Sequence, residues 1–153
     1  MEILRTWERM SSLPGGKFLF SRLLGRWVPY TGSIQPDVQE LRPGFARVRM
    51  KDRASVRNHL ESIHAAALMN FCEASTGLAF MAGMPSEARA ILTRFEIDYL
   101  YKARGTLTAE CHCAIPVSDE KKEYRVSCEA RDEKGEVVCR AEARWLVGPR
   151  KKA

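Results

Sequence analysis

The fold is indicated by one apolar stretch, residues 65–82, which reads AAALMNFCEASTGLAFMA. If these residues form a helix, small or apolar side chains lie on every face of it, and Glu73 is the only charged residue in the stretch. A helix that is apolar all round is buried on every side. The sequence therefore predicts a long helix at the centre of the domain, enclosed by other elements.

Strand-like segments stand on both sides of this helix. Residues 33–52 have a hairpin pattern, with an Arg-Pro-Gly turn followed by apolar residues that alternate with arginine and lysine. After the helix come four further stretches of strand character, residues 90–101, 106–117, 123–131 and 136–147. We therefore expect an α+β fold in which a curved antiparallel sheet wraps around the long central helix.

The amino-terminal residues differ in character from the rest of the chain. Their spacing predicts two short amphipathic helices that break at Pro14-Gly15-Gly16. We expect residues 1–30 to form a helical extension that packs on the domain's own core, residues 31–148 to form the domain, and residues 149–153 to form a basic tail. A membrane-surface role for the two helices is the alternative that the sequence leaves open.

Composition limits the classes of partner. A chain of 153 residues fits one domain, and its net charge of +6 comes without a nucleic-acid recognition motif, so we expect small anionic ligands and no nucleic acid. Five cysteines without a regular framework indicate reduced, buried thiols. The sequence shows neither a signal peptide nor a membrane span, so we expect a cytoplasmic protein without a membrane partner.

A metal site is not expected at Cys111-His112-Cys113. In a strand the two cysteines point to one face and His112 to the other, whereas a closed zinc site normally needs four suitable ligands. No other cluster of metal ligands stands out in the sequence.

Two polar residues on the central helix are candidates for chemistry. Glu73 interrupts an apolar helix, and a buried carboxylate either acquires a raised pKa or finds a partner. It is thus either functional or bonded to a neighbouring strand or helix cap. His64 lies where a polar loop becomes the helix, so we expect the backbone N–H groups of Ala65 and Ala66 to be unpaired and to form an anion site.

The spacing of these residues has a geometric consequence. His64 and Glu73 are nine residues apart on one helix, which separates them by roughly 13 Å and about half a turn. Both groups therefore cannot act on one carbon atom from the same chain. A shared site requires Glu73 of one subunit to face the helix start of another, and this predicts a homodimer or a dimer of dimers.

The pattern resembles a known family. Asn58, then His64 six residues on, then Glu73 after nine more is similar to the signature of the phenylacetate-type and 4-hydroxybenzoyl-type acyl-CoA thioesterases of the hotdog superfamily. Phe95-x-Ile97-x-Tyr99 resembles the strand that follows the helix in that family. The chain has alanines where the family has a Gly-Gly pair after the histidine.

The resemblance implies a role for each matching position. It implies that Glu73 is the general base or nucleophile, that Asn58 positions water or substrate, that the Ala65 N–H serves an oxyanion hole, and that His64 orients the loop. Contacts to substrate are expected from Ala66, Asn70 and Thr93. The implied substrate is an acyl thioester of coenzyme A or an acyl carrier, with no metal or other cofactor required.

Two other functions remain open at this stage. A non-catalytic module that binds an acyl thioester or a lipid would keep the same fold and the same cleft. A dehydratase or hydratase of the same superfamily is less favoured, because the chain lacks that group's histidine loop ahead of the helix glutamate.

Overall fold

The computed structural model describes residues 3–150, so part of the expected basic tail, residues 151–153, lies outside the described residues. Its helices are α1 (Ile3–Ser11), α2 (Gly16–Trp27), α3 (Pro29–Gly32) and α4 (Ala65–Met81), with a short 3₁₀ turn at Ala54–Val56. Its strands are β1 (Asp37–Arg42), β2 (Phe45–Met50), β3 (Ala88–Tyr99), β4 (Leu107–His112), β5 (Lys122–Arg131) and β6 (Val137–Pro149).

The six strands form one antiparallel sheet in the order β1-β2-β4-β5-β6-β3. Alternate side chains point inward, as in β5, where Val126, Cys128 and Ala130 are buried. These inward side chains pack against α4, which contacts all six strands. The α+β architecture expected from the sequence, a curved sheet around a long central helix, is confirmed.

Helix α4 is buried over most of its length because the sheet encloses it and α3 packs against it. Four residues at intervals of four, Met69, Glu73, Gly77 and Met81, form a stripe that is only partly covered, and Met69 is 43% exposed. Residues spaced by four lie on one face of a helix. The expectation of burial on every side is therefore wrong along this stripe, which faces a cleft.

The amino-terminal helices belong to the same hydrophobic core as the sheet, as expected. Trp7 of α1 meets Phe20 of α2 edge to face, with ring centroids 5.1 Å apart, and Leu24 joins them in the core. The Ser21 hydroxyl accepts a hydrogen bond of 2.9 Å from the Val38 N–H, which fixes α2 to strand β1. None of the helices in residues 3–150 is long and apolar enough to cross a membrane.

The short helix α3 was not foreseen. It begins at Pro29, whose fixed φ suits the first position of a helix, and it spans the expected boundary at residue 30. The division into residues 1–30 and 31–148 stays a prediction.

Strand β3 is an edge of the sheet, and within residues 3–150 it pairs only with β6. The register between the two strands shifts between Leu92 and Arg94, which leaves Thr93 at a bulge. Bulges bend a strand and redirect a side chain. The outer side of β3 carries unpaired backbone groups that can pair with another strand.

Candidate active site

The start of α4 is capped by His64. This residue has extended backbone angles (φ −63°, ψ 141°), and its Nδ1 accepts a hydrogen bond of 3.0 Å from the Ala66 N–H. Its carbonyl oxygen accepts from the N–H groups of Ala67 and Leu68, at 2.9 and 3.0 Å. Because Nδ1 is an acceptor, the neutral imidazole carries its proton on Nε2.

The cap changes the expected anion site. The prediction that both Ala65 and Ala66 present free N–H groups is wrong for Ala66, because the histidine side chain folds back onto it. The Ala65 N–H makes no hydrogen bond with any of residues 3–150 and lies at the exposed helix start. Of the two N–H groups expected to be unpaired, Ala65 therefore keeps an unpaired one within residues 3–150 and Ala66 does not.

Asn58 organises the loop that leads into α4. Its Oδ1 accepts from the Leu60 N–H at 2.9 Å and from the N–H and hydroxyl of Ser62, both at 3.3 Å. Its backbone N–H donates to the Ser62 carbonyl oxygen at 2.8 Å. Within the described chain Nδ2 makes no hydrogen bond, so the amide can still donate to a ligand while its oxygen holds the loop.

The remaining two expected substrate contacts have structural partners. The buried Asn70 donates from Nδ2 to the Tyr30 carbonyl oxygen at 2.9 Å and so fixes α3 to α4. Asn70 also lines a small cleft of about 230 Å³ together with His64 and Ala66. Thr93 donates from its hydroxyl to the Arg144 carbonyl oxygen at 3.1 Å and lies outside this cleft.

Glu73 projects from the middle of α4 into a different cleft. Its carboxylate forms no hydrogen bond or ion pair with the residues that the structure describes. Burial raises the pKa of Glu73 above its ordinary value of 4.5. The sequence left open a bond from Glu73 to a neighbouring strand or helix cap, and no such bond is present among residues 3–150.

The cleft beside Glu73 has a volume of about 510 Å³ and lies between the amino-terminal helices and the stripe of α4. Its walls are mainly apolar, and the charged residues in its lining within residues 3–150 are Arg5, Glu73 and Arg150. The sequence did not reveal this cleft, because it arises from the packing of distant elements. One signal was present, namely a glycine, Gly77, in the interior of a buried helix.

A single chain does not bring all the expected site residues together. Glu73 lines the larger cleft, whereas His64, Ala66 and Asn70 line the smaller one. Since α4 begins at Ala65 and continues to Met81, the axial separation of roughly 13 Å between His64 and Glu73 holds in the folded chain. A site that uses both groups needs a second copy.

The buried thiols do not have the environment of nucleophiles. Cys72 and Cys139 lie with their Sγ atoms 3.7 Å apart in the core. The hydrogen bond to Cys72 and burial raise the pKa of Cys139, so it stays a neutral thiol. Residues 3–150 contain no group of three or more His, Cys, Asp or Glu side chains placed to hold a metal ion.

Comparison with known proteins assigns the chain to a family. The family model described as domain of unknown function DUF4442 matches residues 16–147. The chain belongs to the DUF4442 family. The match covers α2, α3, α4 and most of the sheet, so Glu73 and the helix start both lie within the DUF4442 region. No curated protein is significantly similar to the chain.

Solved structures share the fold over nearly the whole chain. The crystal structure of the structural-genomics target APC5556 is 28% identical, with a TM-score of 0.84, and the match covers 97% of this chain and 99% of that one. A protein from Pseudomonas aeruginosa titled a probable thioesterase, PA5026, is 24% identical, with a TM-score of 0.75 and coverages of 90% and 97%.

A third structure is that of a hypothetical thioesterase from Streptococcus pneumoniae with coenzyme A. It is 18% identical, with a TM-score of 0.68, and the match covers 84% of this chain and 99% of that one. At these identities the likeness shows the fold. The DUF4442 chain has the hotdog fold that was expected from the sequence.

Proposed function

We propose that this DUF4442 protein is an acyl-CoA thioesterase that hydrolyses an acyl thioester to the free acid and coenzyme A. The observation that carries the proposal is Glu73, a carboxylate without a partner in the described chain at the wall of an apolar cleft. A carboxylate with a raised pKa is a stronger base than a solvated one. Glu73 either activates a water molecule or attacks the thioester carbon directly.

The helix start supplies the complementary part of the proposed site. The Ala65 N–H is directed outward at the positive end of the α4 dipole, where a developing negative charge on the carbonyl oxygen is stabilised. The Asn58 amide, with Nδ2 still available, orients water or substrate beside it. His64 acts as a positioning residue, because its cap on Ala66 fixes the first turn from which Ala65 donates.

The two parts meet only across a subunit interface in this proposal. Glu73 lines one cleft, whereas His64 and Ala66 at the helix start line another, so in this proposal Glu73 of one copy faces the helix start of a second copy. The edge strand β3 offers the surface for that association, since a two-fold axis can pair it with the same strand of a second copy. The assembly is a homodimer or a dimer of dimers.

Coenzyme A is the favoured thiol of the substrate. One structural relative was solved with coenzyme A, and the net charge of +6 suits a ligand that carries phosphates. Coenzyme A enters as part of the substrate, and the proposed reaction uses the chain's own carboxylate, amide and backbone N–H.

The test is the release of free thiol from short, long and aromatic acyl-CoAs by wild type, Glu73→Gln and Glu120→Gln. Glu120 is an exposed loop glutamate without a side-chain partner in the described chain, so it controls for the loss of one charge. We expect Glu73→Gln to lower kcat by about a hundredfold or more in a variant that keeps its oligomeric state. Glu120→Gln keeps the wild-type rate.

Two results would decide against the proposal. Equal rates for Glu73→Gln and wild type would remove Glu73 from the reaction. Tight binding of acyl-CoAs without turnover by wild type would favour a non-catalytic binding module in the same cleft.

A further inference from the structure

The cleft beside Glu73 is lined by a glycine, Gly77, that the helix itself does not require. Glycine is the least favourable residue in a helix interior after proline, yet Gly77 stands in the middle of α4. A Cβ at this position would lie 3.5 Å from Cζ2 and 3.6 Å from Cη2 of Trp145, which is ordinary van der Waals contact. A side chain at position 77 would therefore project against the Trp145 ring, which also lines the cleft, and its absence leaves this part of the cleft open.

Glu73 and Gly77 follow one another on the same stripe of the helix. Gly77 is one turn beyond Glu73, and Met81 is one turn further, so the stripe extends roughly 12 Å from the carboxylate. That distance is about the length of an extended chain of ten carbons. Leu24 of α2 and Ile3 of α1 line the cleft opposite the stripe, so the amino-terminal helices form its second wall.

The volume and chemistry of the cleft suit an unbranched aliphatic chain. A methylene group takes up roughly the volume of a water molecule, about 30 Å³, so a cleft of about 510 Å³ has room for a chain of ten or more carbons. A single aromatic ring would leave most of the cleft empty. Ala74 and Ala82 add further small side chains to the wall formed by α4.

We propose that this cleft takes the medium-length to long aliphatic acyl chain of the thioester, and that Gly77 sets the length of chain accepted. The inference rests on the proposed thioesterase function, because that function places the thioester carbonyl beside Glu73. The chain then leaves Glu73, passes over Gly77 between Trp145 and the amino-terminal helices, and ends near Met81 and Met84.

The experiment measures binding of S-alkyl-CoA thioethers, which resemble the substrate but cannot be hydrolysed. Wild type, Gly77→Ala, Gly77→Leu and Gly148→Leu are titrated by calorimetry with alkyl chains of increasing length. The matched control Gly148→Leu adds the same side chain where a Cβ meets nothing within 4 Å. Gly77→Ala keeps the test valid if the leucine variant fails to fold, because alanine favours the helix.

The expected result is a length-dependent affinity. Wild type gains about fourfold in affinity for each added methylene, up to about ten carbons. Gly77→Leu stops gaining at a shorter chain and binds the decyl thioether at least about tenfold more weakly, whereas its affinity for the ethyl thioether is unchanged. Gly77→Ala shows the same change to a smaller degree, and Gly148→Leu behaves as wild type.

Two binding results would overturn the inference. One is an affinity for the thioethers that does not depend on chain length in wild type, or a length dependence that is the same in wild type, Gly77→Leu and Gly77→Ala. The other is an affinity that rises with chain length for free fatty acids but not for the thioethers. The cleft would then bind free fatty acids and not the acyl chain of a thioester.

The binding assay separates this inference from the proposed function. Length-dependent binding that Gly77→Leu abolishes, together with no hydrolysis of the matching acyl-CoA, contradicts the thioesterase and leaves the acyl site in place. Hydrolysis at equal rates for all chain lengths in wild type and Gly77→Leu contradicts the acyl site and leaves the thioesterase.

Discussion

Replacing Glu73 by glutamine should make the protein more stable as well as less active. A buried polar group without a partner costs about 1–3 kcal/mol and a charged one costs more, so at this half-buried position an ionised carboxylate costs more than a neutral amide. Glutamine has nearly the same shape and no charge. We therefore expect Glu73→Gln to raise the free energy of unfolding by about 1 kcal/mol at neutral pH, which corresponds to about 2–4 °C in Tm for a domain of this size.

The gain has a defined pH dependence. Burial raises the pKa of Glu73 in the folded chain above its ordinary value of 4.5, so the folded state holds the proton more tightly than the unfolded state does. The stability that wild type gains from binding this proton more tightly is fully present below pH 4.5 and is lost as the pH rises through the raised pKa. The difference between variant and wild type should be small near pH 4 and largest at neutral pH.

Urea unfolding of wild type, Glu73→Gln and the control Glu120→Gln between pH 4 and pH 8, at one protein concentration, measures the effect. The control should follow wild type throughout. A Glu73→Gln variant that is no more stable than wild type at neutral pH, or a gain in stability that does not change with pH, would show that the carboxylate is not buried without a partner.

Three further results are expected. Ala65→Pro removes the free N–H, so kcat falls about a hundredfold or more. Because the first position of a helix tolerates proline, Tm stays within about 2 °C of wild type. His64→Ala lowers the urea-unfolding free energy by about 1 kcal/mol, whereas His64→Asn restores the cap. Because the base must be deprotonated, kcat/KM should rise with pH through a midpoint above 4.5. An unchanged kcat in Ala65→Pro would contradict the first expectation, and an unchanged free energy of unfolding in His64→Ala would contradict the second. A midpoint of kcat/KM at or below pH 4.5 would contradict the third.

The fold was predictable from patterns that depend on local sequence. The largely apolar stretch of residues 65–82 predicted a central helix, and α4 covers Ala65–Met81. Alternation of small or apolar with polar residues located the strands, although β4 ends at His112, short of the expected residue 117. The short α3 was missed because four residues carry no helical period, so only its proline marked it.

The candidate site was predictable only in part, since its details depend on side-chain conformation and packing. Glu73 stood out because a charge in an apolar helix is costly wherever it lies. The hydrogen bond that the Ala66 N–H donates to His64 depends on the rotamer of the histidine, and the spacing of residues does not specify that rotamer. The cleft lined by Gly77 and Trp145 depends on how α1 and α2 lie across α4, which no local pattern encodes.

Subunit mixing tests whether one active site combines Glu73 of one chain with the helix start of another. Glu73→Gln keeps the Ala65 N–H, and Ala65→Pro keeps the carboxylate. In a mixed dimer one of the two sites combines the intact Glu73 of one chain with the intact Ala65 of the other. The second site of that dimer lacks both groups.

The measurement is thiol release after the two inactive variants are dissociated, mixed in equal amounts and reassembled, with each variant treated alone as the control. Half of the dimers are then mixed and each holds one intact site of two, so we expect about a quarter of wild-type activity to be recovered. If the mixture stays as inactive as the separate variants while mixed dimers form, the site does not join Glu73 of one subunit to the helix start of the other.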